Sequence, residues 1–256
     1  MKKYLIFIMF TFLLSCSSNN TYKPFVMTQE HISMELPNWM IDVPDGNFEI
    51  GISHKTTGEK GNAKEFAAIN YNRNIHSFVV NNKAVKKGEQ IKDFRTFNVN
   101  SPVSIKDLRS IHDSMTLVDS AYAGNYFLAL FSTDKSLKIS HSTDMIKTFS
   151  VPSWYRPQKV YVQNGKIYAT IRYSSATMDG AVKIAMEKAR TAIASYKTKH
   201  VLASTTSTEI KTSTDYAIET KMVLGKVKTS NIYILKKKTD NALFSYEVYL
   251  RMWSEQ

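Results

Sequence analysis

LPNWMIDVPDGNFEIGI, residues 36–52, and VPSWYRPQKVYVQNGKIYATI, residues 151–171, use the same uncommon device twice. Each opens on Pro-x-Trp, Pro37 with Trp39 and Pro152 with Trp154, and each then runs into an alternating segment, FEIGIS from Phe48 and KIYATIRY from Lys166. Proline fixes φ and biases the preceding residue toward extended geometry, and a tryptophan ring buries a large apolar area. The pair is therefore expected to fasten the entry of a folded unit onto its own core. On that reading Pro37, Trp39, Pro152 and Trp154 are structural anchors.

Beyond each device the features come in the same order. Turn-rich patches, HKTTGEKGN from His54 and SSATMDG from Ser174, lead into helices. In the second helix Ala181, Ala185, Ala189, Ala192 and Tyr196 recur at helical spacing beside Val182 and Ile193. Thr177 is the expected N-cap, Asp179 suits the positive end of the helix dipole, and Lys197, Lys199 and His200 suit the negative end. In the first helix Ala63, Ala67, Tyr71, Ile75 and Phe78 keep nearly the same spacing, with Asn62 as the expected cap. The small residues imply helices lying close against a sheet.

Strands close each half. The first offers EQIKDFRTFNVN from Glu89, SMTLVDSAYAG from Ser114 and NYFLALFST from Asn125, turning at Ala123-Gly124-Asn125. The second offers STTSTEIKTST from Ser204, KMVLGKVKTSNIYILKKK from Lys221 and LFSYEVYLRMW from Leu243, with a turn at Thr239-Asp240-Asn241. SPVSIKDLRSIHDS from Ser101 is a short helical excursion found only in the first half. The expected fold class is α+β, as two tandem units over 31–145 and 146–256. Each is expected to be an antiparallel sheet with one long helix packed on a face.

The segment before these units is an address. Lys2 and Lys3 precede YLIFIMFTFLL, an apolar run from Tyr4 to Leu14 that is too short for a spanning helix and right for a signal-peptide core. It ends in Leu13-Leu14-Ser15-Cys16, which resembles a bacterial lipobox. That resemblance implies a signal peptide over 1–15, a diacylglyceryl thioether on Cys16 and acylation of its amine, palmitate being the expected kind of chain. Residues 16–30 then form a polar tether. Ser17 and Ser18 come directly after the cysteine, which by resemblance to the enteric sorting pattern implies an outer-membrane anchor facing the periplasm.

Cys16 is the single cysteine of the 256-residue chain, so no intrachain disulfide, Cys-based zinc site, thiol nucleophile or redox pair is available. Apolar residues at 43% and charged residues at 22% are ordinary globular values, so a packed core is expected. The formal charge of +12 falls by two when Lys2 and Lys3 leave. Its scattered lysines, clustered only at Lys236–Lys238, read as a solvated basic surface, with contact to anionic lipid headgroups or cell wall as the alternative, and no nucleic-acid motif is present.

Chemistry is harder to find. His112-Asp113-Ser114 contains the triad residue types, but a triad is assembled from distant segments. His54 and His200 end equivalent elements without a partner at ligand spacing, and His31, His76 and His141 are isolated. TTGEKGN from Thr56 lacks the spacing of a phosphate-binding loop. Asp42 and Asp45 flank Pro44, Glu187 sits on a lysine-rich helix, and no opposed carboxylate pair is nominated. No catalytic residue, cofactor site or metal site is expected.

The order of features resembles the LPP-type lipoprotein family named for a twenty-kilodalton Helicobacter antigen, with related domains in flagellar accessory proteins. Trp154, Ala181, Ala185, Ala189 and YEVYLR carry the likeness in the second unit. Pro37, Trp39, Gly51, Ala63 and Ala67 carry it in the first. The resemblance implies a non-catalytic envelope lipoprotein working through protein–protein or peptidoglycan contacts, self-association included, in an envelope or flagellar-associated assembly. The alternative is a periplasmic enzyme or small-ligand binder using the cleft between the two units.

Overall fold

The computed structural model describes residues 30–76, 78–84, 96–100, 104–139, 143–157, 160–205, 217–223, 225–238 and 243–256. Of these, 30, 78–84, 96–100, 198–205 and 217–223 are described by backbone path alone. The signal peptide, Cys16, nearly all of the tether and the expected turn at Thr239-Asp240-Asn241 lie outside the described residues. The first half contains β1 (Glu30–Ile32), β2 (Met34–Pro37), the single turn α1 (Asn38–Ile41), β3 (Phe48–His54), α2 (Glu59–His76), β4 (Phe78–Ala84), β5 (Thr96–Asn100), α3 (Ile105–Ser114), β6 (Thr116–Ala123) and β7 (Tyr126–Ser132). The second contains β8 (Met145–Thr148), β9 (Val160–Gln163), β10 (Lys166–Ser175), α4 (Met178–Thr205), β11 (Ala217–Val223), β12 (Val227–Lys238) and β13 (Phe244–Glu255). The fold is mixed α+β with antiparallel sheets, as expected.

The largest sheet runs β1-β12-β13-β10-β9. Its β9–β10 hairpin turns on Asn164-Gly165, both left-handed (φ 51° and 71°), the pair that a tight type I′ turn requires. One face of this sheet, carrying Ile167, Ala169, Ile171, Val248, Leu250 and Met252, packs on the alanine stripe of α4. The expected cap of α4 is present: the Thr177 hydroxyl accepts from the Gly180 amide at 3.2 Å. Two strand expectations are corrected here. Helix α4 continues through Ser204 and Thr205, so STTSTEIKTST does not begin as a strand, and its remainder lies outside the described residues. The run from Lys221 divides at Gly225 (φ 77°), because a residue in that conformation ends the extended backbone; β11 stops at Val223 and β12 starts at Val227.

The second sheet, β3-β7-β6, turns its hairpin at Gly124-Asn125 and takes α2 on one face. Ala63, Ala67, Phe127, Ala129 and Phe131 pack together there, with Leu108 and Ile111 of α3 against them. Gly51 sets the closeness of α2: a Cβ at that position would lie 2.3 Å from the Ala63 carbonyl oxygen, so only glycine fits. Helix α2 begins at Glu59, three residues before the expected cap Asn62, and it stops at His76, which leaves Phe78 to β4. The excursion expected from Ser101 is α3, capped by the Ser104 hydroxyl accepting from the Asp107 amide.

The strand orders β3-β7-β6 and β10-β13-β12 are the same when counted within each half of the chain. The halves are also laced together. β1 from the first half joins the large sheet beside β12, with Ile32 opposite Lys236. β2 pairs with β8, and β4 pairs with β11 in a third sheet of order β11-β4-β5. One hydrophobic cluster joins Leu36, Ile50 and Leu130 to Ile171, Ile193 and Ile234, so a single core serves both sheets.

Candidate functional site

Among the described residues, those that carry chemistry do not converge. His112 Nδ1 meets Asp113 Oδ1 at 3.3 Å on the surface, but the Ser114 hydroxyl donates instead to the Ile111 carbonyl, so the three form no triad. His54 does have a partner the sequence did not show: its ring lies 4.4 Å from that of Tyr126, and Nε2 stands 3.8 Å from Asp179 Oδ1. Burial pushes the Tyr126 hydroxyl up to about 12, and that hydroxyl already accepts the Met178 amide. It is a capping group at the start of α4. Residues 55–62 form a turn and the first turn of α2. Glu187 pairs with Arg73 at 2.7 Å. His31 and His76 are exposed and apart, while His141 and the His200 side chain lie outside the described residues. Among the described residues no group of three or more His, Cys, Asp or Glu side chains is placed to hold a metal.

The two tryptophan anchors share a logic and differ in outcome. Trp39 is 3% exposed, and its indole N–H donates to Asp119 on β6 at 3.1 Å. Asp119 stands opposite Leu130, so Trp39 lies on the face of β3-β7-β6 turned away from α2. Trp154 likewise lies on the face of the large sheet turned away from α4, beneath the Arg251 guanidinium at 5.3 Å. The first of these faces is covered by the shared core, whereas over the second lies the segment of Trp154, Tyr155 and Arg156, with Tyr155 against Tyr249 and the Arg156 carbonyl accepting from the Thr170 hydroxyl; Trp154, in that covering layer, is half-buried.

Among the clefts lined by described residues, two lie beside the sheets. One of about 410 Å³ has Trp39, Phe48, Leu137 and Ile139 in its walls and carries Asp42 and Asp45. Asp42 is held by the Asn231 amide at 3.3 Å. A smaller cleft of about 230 Å³ lies where β2, the β6–β7 turn and β12 meet, bringing together one carboxylate, Glu35, and one ammonium, Lys236. Beneath the surface, Arg190 of α4 donates to Asn74 of α2 at 2.9 Å, and Asn74 donates to Glu49 of β3 at 2.8 Å. Burial raises the Glu49 carboxyl to about 7 against the opposing pull of Asn74, Arg190 and Lys226. Burial also lowers Arg190 to about 10, so the guanidinium stays charged at neutral pH.

The outer face of the large sheet is the most distinctive surface. Residues directly opposite one another in antiparallel strands share a face. Tyr161, Tyr168, Trp253 and Lys228 are consecutive partners across β9, β10, β13 and β12, so they form one row. Tyr161 and Tyr168 stack with centroids 5.3 Å apart and planes 13° from parallel. Lys166 lies 3.8 Å and Lys228 5.3 Å over the Trp253 ring, Arg156 lies 5.2 Å over Tyr161, and Arg251 lies between Trp154 and Tyr168.

Further along the same face Glu247 accepts from Lys237 at 2.9 Å and from Arg172 and Tyr249. Burial works to raise the Glu247 carboxyl, but these three donors outweigh it and hold it below the usual range. This corrects the reading of Lys236–Lys238 as a uniform basic surface. Lys237 is only 6% exposed because Glu247 takes it inward, and Lys236 lies over the Phe244 ring at 4.2 Å.

Periodicity missed this face because β13, FSYEVYLRMWSE, is bulky on both sides. The signal that marks it is the Asn164-Gly165 dipeptide, which pins the β9–β10 register and so aligns Tyr161 with Tyr168. No protein-family model matches the chain, and no curated protein or solved structure matches it significantly.

Proposed function

We propose that the chain is a non-catalytic lipoprotein of the cell envelope, anchored through Cys16 to the outer membrane and facing the periplasm. It works by surface contact with envelope proteins or peptidoglycan. The observation that carries this reading is the outer face of the large sheet, where four cations rest on aromatic rings. Arg156, Lys166, Lys228 and Arg251 have no carboxylate within ion-pair distance among the described residues. The charges of Arg156, Lys166 and Lys228 stay available to a partner, unlike Lys237 and Arg172, which serve Glu247, while Arg251 donates to Asn231 at 2.7 Å and to Ser230 at 3.2 Å.

The tether supports the same reading. Residues 17–29 separate Cys16 from β1, a reach of at most about 45 Å at roughly 3.4 Å per residue. A lipid at Cys16 would therefore keep the face near the membrane while leaving it free to meet the wall. The identical strand orders of the two sheets favour two tandem sheet–helix units, each with its long helix on one face and its Pro-x-Trp device on the other. An assembly role like that of the LPP-type family is compatible with this design.

Membrane fractionation is the test. Wild-type protein should pellet with membranes after a high-salt wash, and the Cys16→Ala protein should be released. Retention of Cys16→Ala in the washed pellet would end the lipoprotein reading. A second reading, a small-ligand binder, has the cleft at Trp39, Asp42 and Asp45 in its favour. It requires that Asp42→Asn or Asp45→Asn change the cellular phenotype while the protein stays folded and anchored.

A further inference from the structure

We infer that the Tyr161–Tyr168–Trp253–Lys228 row is a docking track for an extended polyanion, a carboxylate-bearing polysaccharide of the envelope. The inference rests on the surface-contact reading and names its occupant. Neighbouring strands are about 4.8 Å apart, so a row crossing four of them spans roughly 14 Å. That length suits several repeats of an extended polymer and exceeds what a single small anion needs. A ring under a cation fixes the cation's position without neutralising its charge. The Lys166 and Lys228 ammonium groups flank Trp253, and the two arginines continue the positive line toward Tyr161 and Tyr168. In register with Lys166 stand Gln163, an exposed neutral hydrogen-bonding group, and Glu255 at the strand end, which makes no ion pair with it. Net charge of the same sign over the whole chain adds long-range attraction.

Two features favour a polymer over a bilayer. Proteins that bind membrane interfaces insert exposed apolar side chains beside their cations. On this row the rings are instead covered by the cations, and Val162, the exposed apolar residue of β9, belongs to the opposite face because it stands opposite Ile167. A sheet of ring-mounted cations with neutral polar groups between them matches a chain of sugars that alternates hydroxyls with charges.

The test uses the full chain in non-ionic detergent and five immobilised probes: polygalacturonate, neutral dextran, inorganic polyphosphate, glycerophosphoglycerol as the phosphatidylglycerol headgroup, and a single-stranded oligonucleotide. Polygalacturonate should bind best and dextran should fail. The Lys166→Gln/Lys228→Gln double variant should bind polygalacturonate about tenfold more weakly. Arg156→Gln, at an exposed position where folding is not at risk, should weaken it in the same direction. Tighter binding to polyphosphate or to the lipid headgroup than to polygalacturonate would overturn the inference, as would undiminished, wild-type binding by both variants. So would preferential binding of a single-stranded oligonucleotide, which aromatic rows with cations also accept. If no probe binds but proteins from solubilised envelopes still require Lys166 and Lys228, the polysaccharide occupant falls and the surface-contact reading stands.

Discussion

Glu49 shows how a single side chain records the joining of the two halves. It lies on β3, is 6% exposed, and reaches the Arg190 guanidinium of α4 only through Asn74. One of its oxygens and one Arg190 nitrogen have no partner, so the carboxylate is incompletely compensated. Its folded pKa of about 7 lies above the ordinary glutamate value of 4.5. A raised folded value means the folded state binds the proton more tightly, so this contribution is complete below 4.5 and is lost as pH rises through about 7. Glu49→Gln removes the charge and keeps the shape. The variant should therefore gain on the order of 3 kcal/mol over wild type at pH 8, shrinking to nothing near pH 4. Urea denaturation across that range measures it, and an advantage that grew toward acid would contradict the assignment.

At the scale of elements, the sequence showed most where local chemistry decides the structure. The Thr177 cap, the alanine ladder of α4, the short helix α3 and the Gly124 turn all depend on residues within one or two turns of each other. Each was legible for that reason. The ends of α2 were not, because Asn62 has cap chemistry but Gly58 and Glu59 start the helix three residues earlier. The pairings β2–β8, β4–β11 and β1–β12 join segments more than a hundred residues apart. Their strands are short, and nothing local fixes their register.

The two Pro-x-Trp devices were legible as anchors, but the cover that buries one and leaves the other half-buried is tertiary. Trp39→Ala should therefore cost about 3–5 kcal/mol, the usual loss for a buried aromatic. Trp154→Ala should cost roughly 1–2 kcal/mol, since a half-buried ring loses less packing and one cation contact. Thermal melts of the two variants decide it, and equal losses would contradict the difference in cover.

For the whole molecule, the decisive feature is a large sheet with one face sealed by α4 and the other carrying, along one row, the partly exposed cations Lys166 and Lys228, with exposed Arg156 beside them, none paired with a carboxylate among the described residues. Its composition was visible in the sequence as a net charge of +12, but its arrangement was not. Lys166, Lys228 and Trp253 are neighbours only because β10, β13 and β12 adopt one register. Lys236–Lys238, the conspicuous basic run, instead gives up Lys237 to Glu247. The described histidines, which attract attention as chemical residues, are dispersed. On the proposed reading the protein works through this row of cations rather than through a reacting centre. The sharpest test is capture of envelope components by detergent-solubilised, full-length protein, with wild type, Lys166→Glu/Lys228→Glu and His54→Ala/His112→Ala compared side by side. The charge-reversed face should lose its captured material while the histidine variant keeps it. Undiminished capture by the charge-reversed variant, with loss in the histidine variant, would refute the proposal.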